Sequence, residues 1–144
     1  MHFLRKFGVL AATLAVMTAC TSATVVERPA SIDVKPGKGL VYFYREKSFV
    51  GSMVSYYVYE GEIKLGALKN GTFFFVDADP GEHKYRAKTE AGEDVTIKVE
   101  AGKTYYARGS VKMGVFAGRP ELLEVSASEA GAKMPTLNYV VVKD

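Results

Sequence analysis

The hydrophobic pattern along this chain changes character twice. Residues 9–17 form an uncharged apolar run behind Arg5 and Lys6. Residues 21–38 are mostly polar and broken by Pro29, Pro36 and Gly37, with no apolar period. From Gly39 onward, short β-branched and aromatic runs take over, punctuated at Glu60-Gly61, Asn70-Gly71, Pro80-Gly81, Ala91-Gly92 and Ala101-Gly102. These glycines recur at intervals of ten or eleven residues, the spacing of an antiparallel sandwich or barrel. The pattern predicts strands near 40–46, 53–60, 62–68, 72–77, 82–89, 94–100, 103–112 and 120–126.

Within these strands the two faces can be told apart. His83, Tyr85 and Ala87 alternate with Lys84, Arg86 and Lys88, and Val95, Ile97 and Val99 alternate with Thr96, Lys98 and Glu100. A period of two with one apolar face describes half-buried strands on a core. Tyr42-Phe43-Tyr44 and Phe73-Phe74-Phe75 do not alternate, which predicts cover on both faces. Asn70-Gly71 suits a tight hairpin with positive φ at both central positions. Asp79-Pro80-Gly81 suits a type II turn. Residues 126–134 predict a short helix capped by Ser126, with Glu129 three positions on and Pro135 ending it. A last strand follows over 137–142. The fold expected is all-β: a single antiparallel β-sandwich of about seven to nine short strands over 39–144.

The apolar run near the start ends in Thr18-Ala19-Cys20, and Cys20 is the only cysteine. Basic residues, a short apolar core and small residues in that order form a secretory signal. The small-small-Cys ending resembles the lipobox of bacterial lipoproteins, with Met17 where Leu is commoner. That resemblance implies a signal peptide over 1–19, cleavage before Cys20, and anchorage in membrane lipid through the acylated (palmitate-type) thiol. Two other readings stay open: an uncleaved span, for which the run falls short of roughly 20 apolar residues, and ordinary cleavage that leaves a free thiol. Thr21 rather than Asp after the cysteine favours the outer membrane under the enteric sorting rule, with the domain facing the periplasm. Residues 20–38 then read as the acylated cysteine and a flexible tether, able to reach roughly 60 Å at ~3.3 Å per residue. The alternative is an added edge strand over 24–27 or 32–34.

Charge narrows the partners. Of 19 basic residues, Arg5 and Lys6 lie in the signal segment, so 17 basic residues face 16 acidic ones in the remainder. Binders of nucleic acid concentrate positive charge, and this near-balance argues against one. The absence of Trp lowers the expectation of sugar stacking.

Catalytic chemistry has little to build on. His83 is the sole histidine after the signal segment, at an inward position behind a turn, and reads as a packed, hydrogen-bonded residue. A zinc site needs three or four ligands of the His/Cys type, and no such set exists; no cofactor is implied. Asp77, Asp79 and Glu82 surround one turn, where Asp side chains ordinarily bond nearby amides. Lys84, Arg86 and Lys88 form a basic stripe whose ordinary reading is a solvated face. Two loops, 47–52 and 113–119, place Phe49, Val50, Met113, Val115 and Phe116 beside glycines, with Arg119 at the rim. Loops on a rigid sandwich commonly carry binding residues, although these could instead plug an end of the core. If the strands alternate in direction, both loops fall at one end, away from the tether. The expectation is a non-catalytic binding or structural module of the envelope, contacting an envelope protein or peptidoglycan. The alternative is an envelope hydrolase using carboxylates.

Six stretches carry a family resemblance: Val41-Tyr42-Phe43-Tyr44-Arg45, Ser48-Phe49-Val50-Gly51-Ser52, Leu68-Lys69-Asn70-Gly71-Thr72, Pro80-Gly81-Glu82-His83, Ala101-Gly102-Lys103-Thr104-Tyr105-Tyr106 and the run from Met113 to Glu121. In order and spacing they resemble the bacterial lipoprotein group catalogued as domain of unknown function 2846. The Pro-Gly-x-His turn followed by Gly-Lys-x-Tyr-Tyr also resembles PEGA-type surface β-sandwich modules. The first resemblance implies a lipoprotein but no activity; the second implies an interaction domain.

Overall fold

A computed structural model describes residues 23–87, 93–114 and 118–142. Ten strands form two sheets. In chain order they are β1 (Ala23–Val26), β2 (Gly39–Arg45), β3 (Tyr56–Glu60), β4 (Ile63–Leu68), β5 (Thr72–Ala78), β6 (Gly81–Ala87), β7 (Asp94–Val99), β8 (Thr104–Met113), β9 (Gly118–Val125) and β10 (Asn138–Val142). One sheet has the order β1-β10-β5-β2-β8-β9 and the other β4-β3-β6-β7. The fold is nearly all-β and sandwich-like, as expected, with one short α-helix among the described residues, α1 (Ala127–Lys133).

The sheet is not purely antiparallel. β2 pairs with β8 in parallel, Val41 beside Tyr105 and Tyr44 beside Arg108, and β10 pairs in parallel with β5. The reason is that the chain leaves the larger sheet after β2, enters it again at β5, and returns a third time at β8. Parallel neighbours need such a crossover, and here the smaller sheet supplies it. Asn70-Gly71 therefore links one sheet to the other instead of closing a hairpin. Only Gly71 has positive φ (73°), and Asn70 does not, so the expected turn with two positive φ values is not formed. Asn70 instead accepts a hydrogen bond from the Ser48 amide at 2.8 Å.

The aromatic triplets are buried from both sides, as their lack of alternation predicted. On the inner face Phe43 stacks on Phe74 (centroids 5.0 Å) and meets the edge of Tyr85 (4.9 Å). Val41, Val58, Leu68 and Ile97 complete that core. On the outer face Tyr44 and Phe73 are covered by Ala130 of α1, Leu137 and Ile32. Gly66 lets Phe74 press against β4: a Cβ there would lie 2.6 Å from the ring. Helix α1 begins at its Ser126 cap, which accepts from the Glu129 amide. The chain continues past Pro135 as a 3-10 turn (Met134–Thr136) before β10.

Much of the expected tether is built into the domain. Ala23–Val26 pairs antiparallel with β10, as the edge-strand alternative required. Arg28 donates to the carbonyls of Met134 (2.7 Å) and Leu137 (2.9 Å) and lies over Phe73. Lys35 and Lys38 pair with Asp77 and Asp79. The short hydrophobic β1, too brief to register against a polar background, gains its stability from the Val140 ladder. Only Thr21 and Ser22 separate Cys20 from Ala23, a reach of at most about 10 Å.

Candidate functional site

The described parts of the two loops leave the same end of the sheet. β2 and β8 are parallel, so the segment 46–55 after β2 and the β8–β9 turn leave the sheet at the same end. Contact follows: a Cβ on Gly51 (φ +70°) would lie 2.8 Å from Val111, and one on Gly118 would also meet Val111 and Val54. The 69–71 turn joins them through Asn70 and through Gly71, which packs on the Lys47 stem. The alternation argument therefore placed these loops correctly, although it rested on hairpins that the crossovers replace.

β1 runs in the same direction as β2, and Ala23 sits beside Val142, four residues along β10 from the Asn138–Thr72 pair. β1 therefore runs toward this end, and the carbonyl of its first residue, Ala23, accepts a hydrogen bond from the Lys69 ammonium at 2.7 Å.

Arg45 organises the 46–55 segment. It is 2% exposed, and its guanidinium donates through Nη1 to the Val54 carbonyl and through Nη2 to the Gly51 carbonyl. The same group lies 5.7 Å from the Tyr56 ring centroid. Burial pulls the Arg45 pKa down and pushes that of Tyr56 up. The Tyr56 hydroxyl donates to the Ser110 carbonyl at 3.3 Å. Two local turns, Ser52 amide to Phe49 carbonyl and Val54 amide to Gly51 carbonyl, give the clamped segment its shape. The clamp also explains why β3 begins at Tyr56 rather than near Met53.

The clamp pushes side chains outward. Phe49 is 96% exposed and Met53 94%, and Val50 and Met113 are exposed as well. Phe49, Val50 and Met113 do not plug the core. Arg119 is exposed at the start of β9, opposite Lys112. Val115, Phe116 and Cys20 lie outside the described residues. Met53 was missed in the sequence because it reads as the start of a strand. Arg45 was missed because an arginine ending an apolar strand ordinarily turns to solvent.

Beside the apolar tips lies a cleft of ≈ 320 Å³ lined by Arg45, Glu46, Lys47, Ser48, Val50 and Arg108, with Gly109, Ser110 and Val111 at its floor. Arg108 pairs with Glu129, Glu46 with Lys133 (3.0 Å), and Lys112 with Glu121 (2.6 Å).

The other sequence candidates have structural partners. His83 packs against Tyr85 and uses both ring nitrogens, on Glu60 and on the Asp79 carbonyl. Asp77 and Asp79 hold lysines of the 35–38 segment instead of turn amides. Lys84 and Arg86 converge on Asp94 at 3.2 and 3.0 Å, and the side-chain hydrogen bond from Arg86 leads the effects that hold its carboxyl below the usual range. No metal-binding group of three or more His, Cys, Asp or Glu occurs among the described residues, and no described helix is long and apolar enough to cross a membrane.

Fold and site together define a two-sheet β-domain with an apolar, basic-flanked loop end. The chain belongs to the family described as a protein of unknown function (DUF2846), whose model matches residues 35–119. That span runs from the Lys35 anchor to Arg119 and includes every described residue of the loop end. The chain is also similar to an uncharacterised protein of Haemophilus influenzae (strain ATCC 51907 / DSM 11121 / KW20 / Rd), 34% identical over 106 residues. That match covers 73% of this chain and 62% of the relative, so the chain spans less than two thirds of the relative's length. No solved structure matches the chain.

Proposed function

We propose that this protein is an outer-membrane lipoprotein, acylated at Cys20 and facing the periplasm. Its β-sandwich acts as a non-catalytic binding or structural module of the cell envelope. The observation that carries the binding role is the group Phe49, Val50, Met53 and Met113, exposed together at one end of the domain. Large apolar side chains gathered on a surface mark interaction sites. These side chains are available to an envelope protein or peptidoglycan.

Three carboxylates do border one cleft, Glu60, Glu62 and Asp94, which is the arrangement a hydrolase reading would draw on. A hydrolase of this kind needs one carboxyl with a raised pKa as general acid. Asp94 is shifted in the opposite direction, so that reading takes second place.

The test is crosslinking in intact cells with photoreactive groups at residues 50 and 113, followed by mass spectrometry. We expect a discrete partner that is lost in Phe49→Ser with Phe116→Ser while the domain keeps its melting temperature. A double variant that retains the partner, or that unfolds, would remove the binding role from this end.

A further inference from the structure

Arg45 breaks an ordinary rule of burial. It is 2% exposed, and the groups it meets, the Gly51 and Val54 carbonyls and the Tyr56 ring, carry no formal charge. A cation taken out of water normally meets an opposite charge, because carbonyl dipoles repay only part of the lost hydration. Here the nearby acids are committed elsewhere. Glu46 holds Lys133, Glu129 holds Arg108, and Glu121 holds Lys112 and accepts from the Ser110 hydroxyl at 2.9 Å. Lys47, on the rim of the same cleft, has no ion pair among the described residues. Three cations and one carboxylate line this cleft; with Glu46 paired to Lys133 and Arg108 to Glu129, the uncompensated charges are those of Arg45 and Lys47.

We propose that the Arg45–Lys47–Arg108 cleft is an oxyanion site that receives a carboxylate or phosphate group borne by the ligand of the loop end. Lys47 is the free donor, with Ser48 beside it, and Arg108 adds the guanidinium N–H groups that Glu129 does not take. Arg45 is the fixed charge beneath, held in place by the two carbonyls it clamps. Its partner carbonyls belong to Gly51 and Val54, which flank Met53 and follow Phe49 and Val50. Occupation of the cleft and display of the apolar tips are thus built on one side chain. The volume suits a small group at the lower end of ligand pockets. The ligand this predicts has an anionic group next to an apolar body. A charge-assisted bond to an oxyanion is stronger than a neutral one, and Arg108 can offer a planar fork to it.

This inference rests on the loop end being a binding surface, but not on the lipid anchor. The test uses the full-length protein in a neutral detergent, melted in sodium phosphate, sodium acetate or sodium chloride at equal ionic strength. Phosphate or acetate should raise the melting temperature above chloride and saturate. Lys47→Ala should weaken the apparent affinity roughly tenfold, as loss of one charged hydrogen bond does. Arg108→Gln should do the same, and Lys98→Ala, on the exposed face of β7, should leave it unchanged. A response to phosphate alone identifies a phosphate-bearing ligand, and a response to acetate alone a carboxylate. A shift no larger than chloride, or one that survives Lys47→Ala and Arg108→Gln, overturns the site. Lys47 is exposed and takes part in no ion pair among the described residues, so its variant folds and the outcome is readable. If the oxyanion site fails while crosslinking at residues 50 and 113 still captures a partner, the loop end remains a binding surface of another chemistry.

Discussion

The two ring nitrogens of His83 both face acceptors: Nδ1 lies 2.5 Å from Glu60 Oε1, and Nε2 lies 2.7 Å from the Asp79 carbonyl oxygen. A neutral imidazole has one donor nitrogen only, so both bonds are complete only when the ring is a cation. Burial opposes that charge, but the hydrogen bonds to Asp79 and Glu60 outweigh it, and the His83 pKa is raised above 6.5.

The sign of the pH dependence follows. A group with a raised folded pKa lends stability that is complete below its unfolded value and fades as pH rises through the folded value. Melting temperature should therefore decline as pH rises above about 6.5 and His83 loses its proton. His83→Phe should flatten that decline. Parallel melting curves for the two proteins across this range would disprove the link.

Gly66 should resist enlargement. Its absent Cβ leaves room for the Phe74 ring, which would otherwise be 2.6 Å away. Overpacking of this kind costs about 1–3 kcal/mol. Gly66→Ala should lower the urea midpoint without altering the slope, and an unchanged midpoint would mean that β4 can shift away.

Phe43 and Phe49 are six positions apart and should behave as opposites. Phe43 is fully buried between Phe74 and Tyr85, and its replacement by Ala should cost about 3–5 kcal/mol. Phe49→Ser, at an exposed tip, should stay within about 0.5 kcal/mol of the parent. Chemical denaturation of both variants checks the contrast.

β1 should contribute to folding. Deleting Ala23–Val26 leaves β10 without its ladder partner and uncovers Val140. At about 0.5–1.5 kcal/mol per lost hydrogen bond, plus exposed apolar area, the domain should lose about 2–4 kcal/mol. Hydrogen exchange of the Val140 amide should accelerate in step. An unchanged melting temperature would return this segment to the role of a passive leader.

Cys20→Ala should abolish fatty-acid labelling and leave an unprocessed or mislocalised precursor. A variant that still labels and still fractionates with the outer membrane would refute acylation at this residue.

What the residues determined by themselves was local. Alternation over 83–88 and 95–100 marked the core-facing sides of β6 and β7. The unbroken triplets at 42–44 and 73–75 marked strands covered twice, and Ser126 with Glu129 marked the helix start. Each is a matter of period or of a side chain bonding its own neighbourhood, so a short window carries it. The exposed apolar loop and its meeting with the β8–β9 turn were legible too, because strand direction alone sets which ends share a side. Tertiary structure decided the rest. Parallel pairing of β2 with β8 depends on where the chain returns after five intervening strands, which no window records. The place of β1 depends on Val140, over a hundred residues away. Arg45 at the end of an apolar strand reads as a solvent-facing cap. Only the fold brings the Gly51 and Val54 carbonyls over its guanidinium and closes the strand around a charge. Burial is a property of what arrives from elsewhere in the chain, and for that reason the most unusual residue of the loop end was invisible until the sheets were assembled.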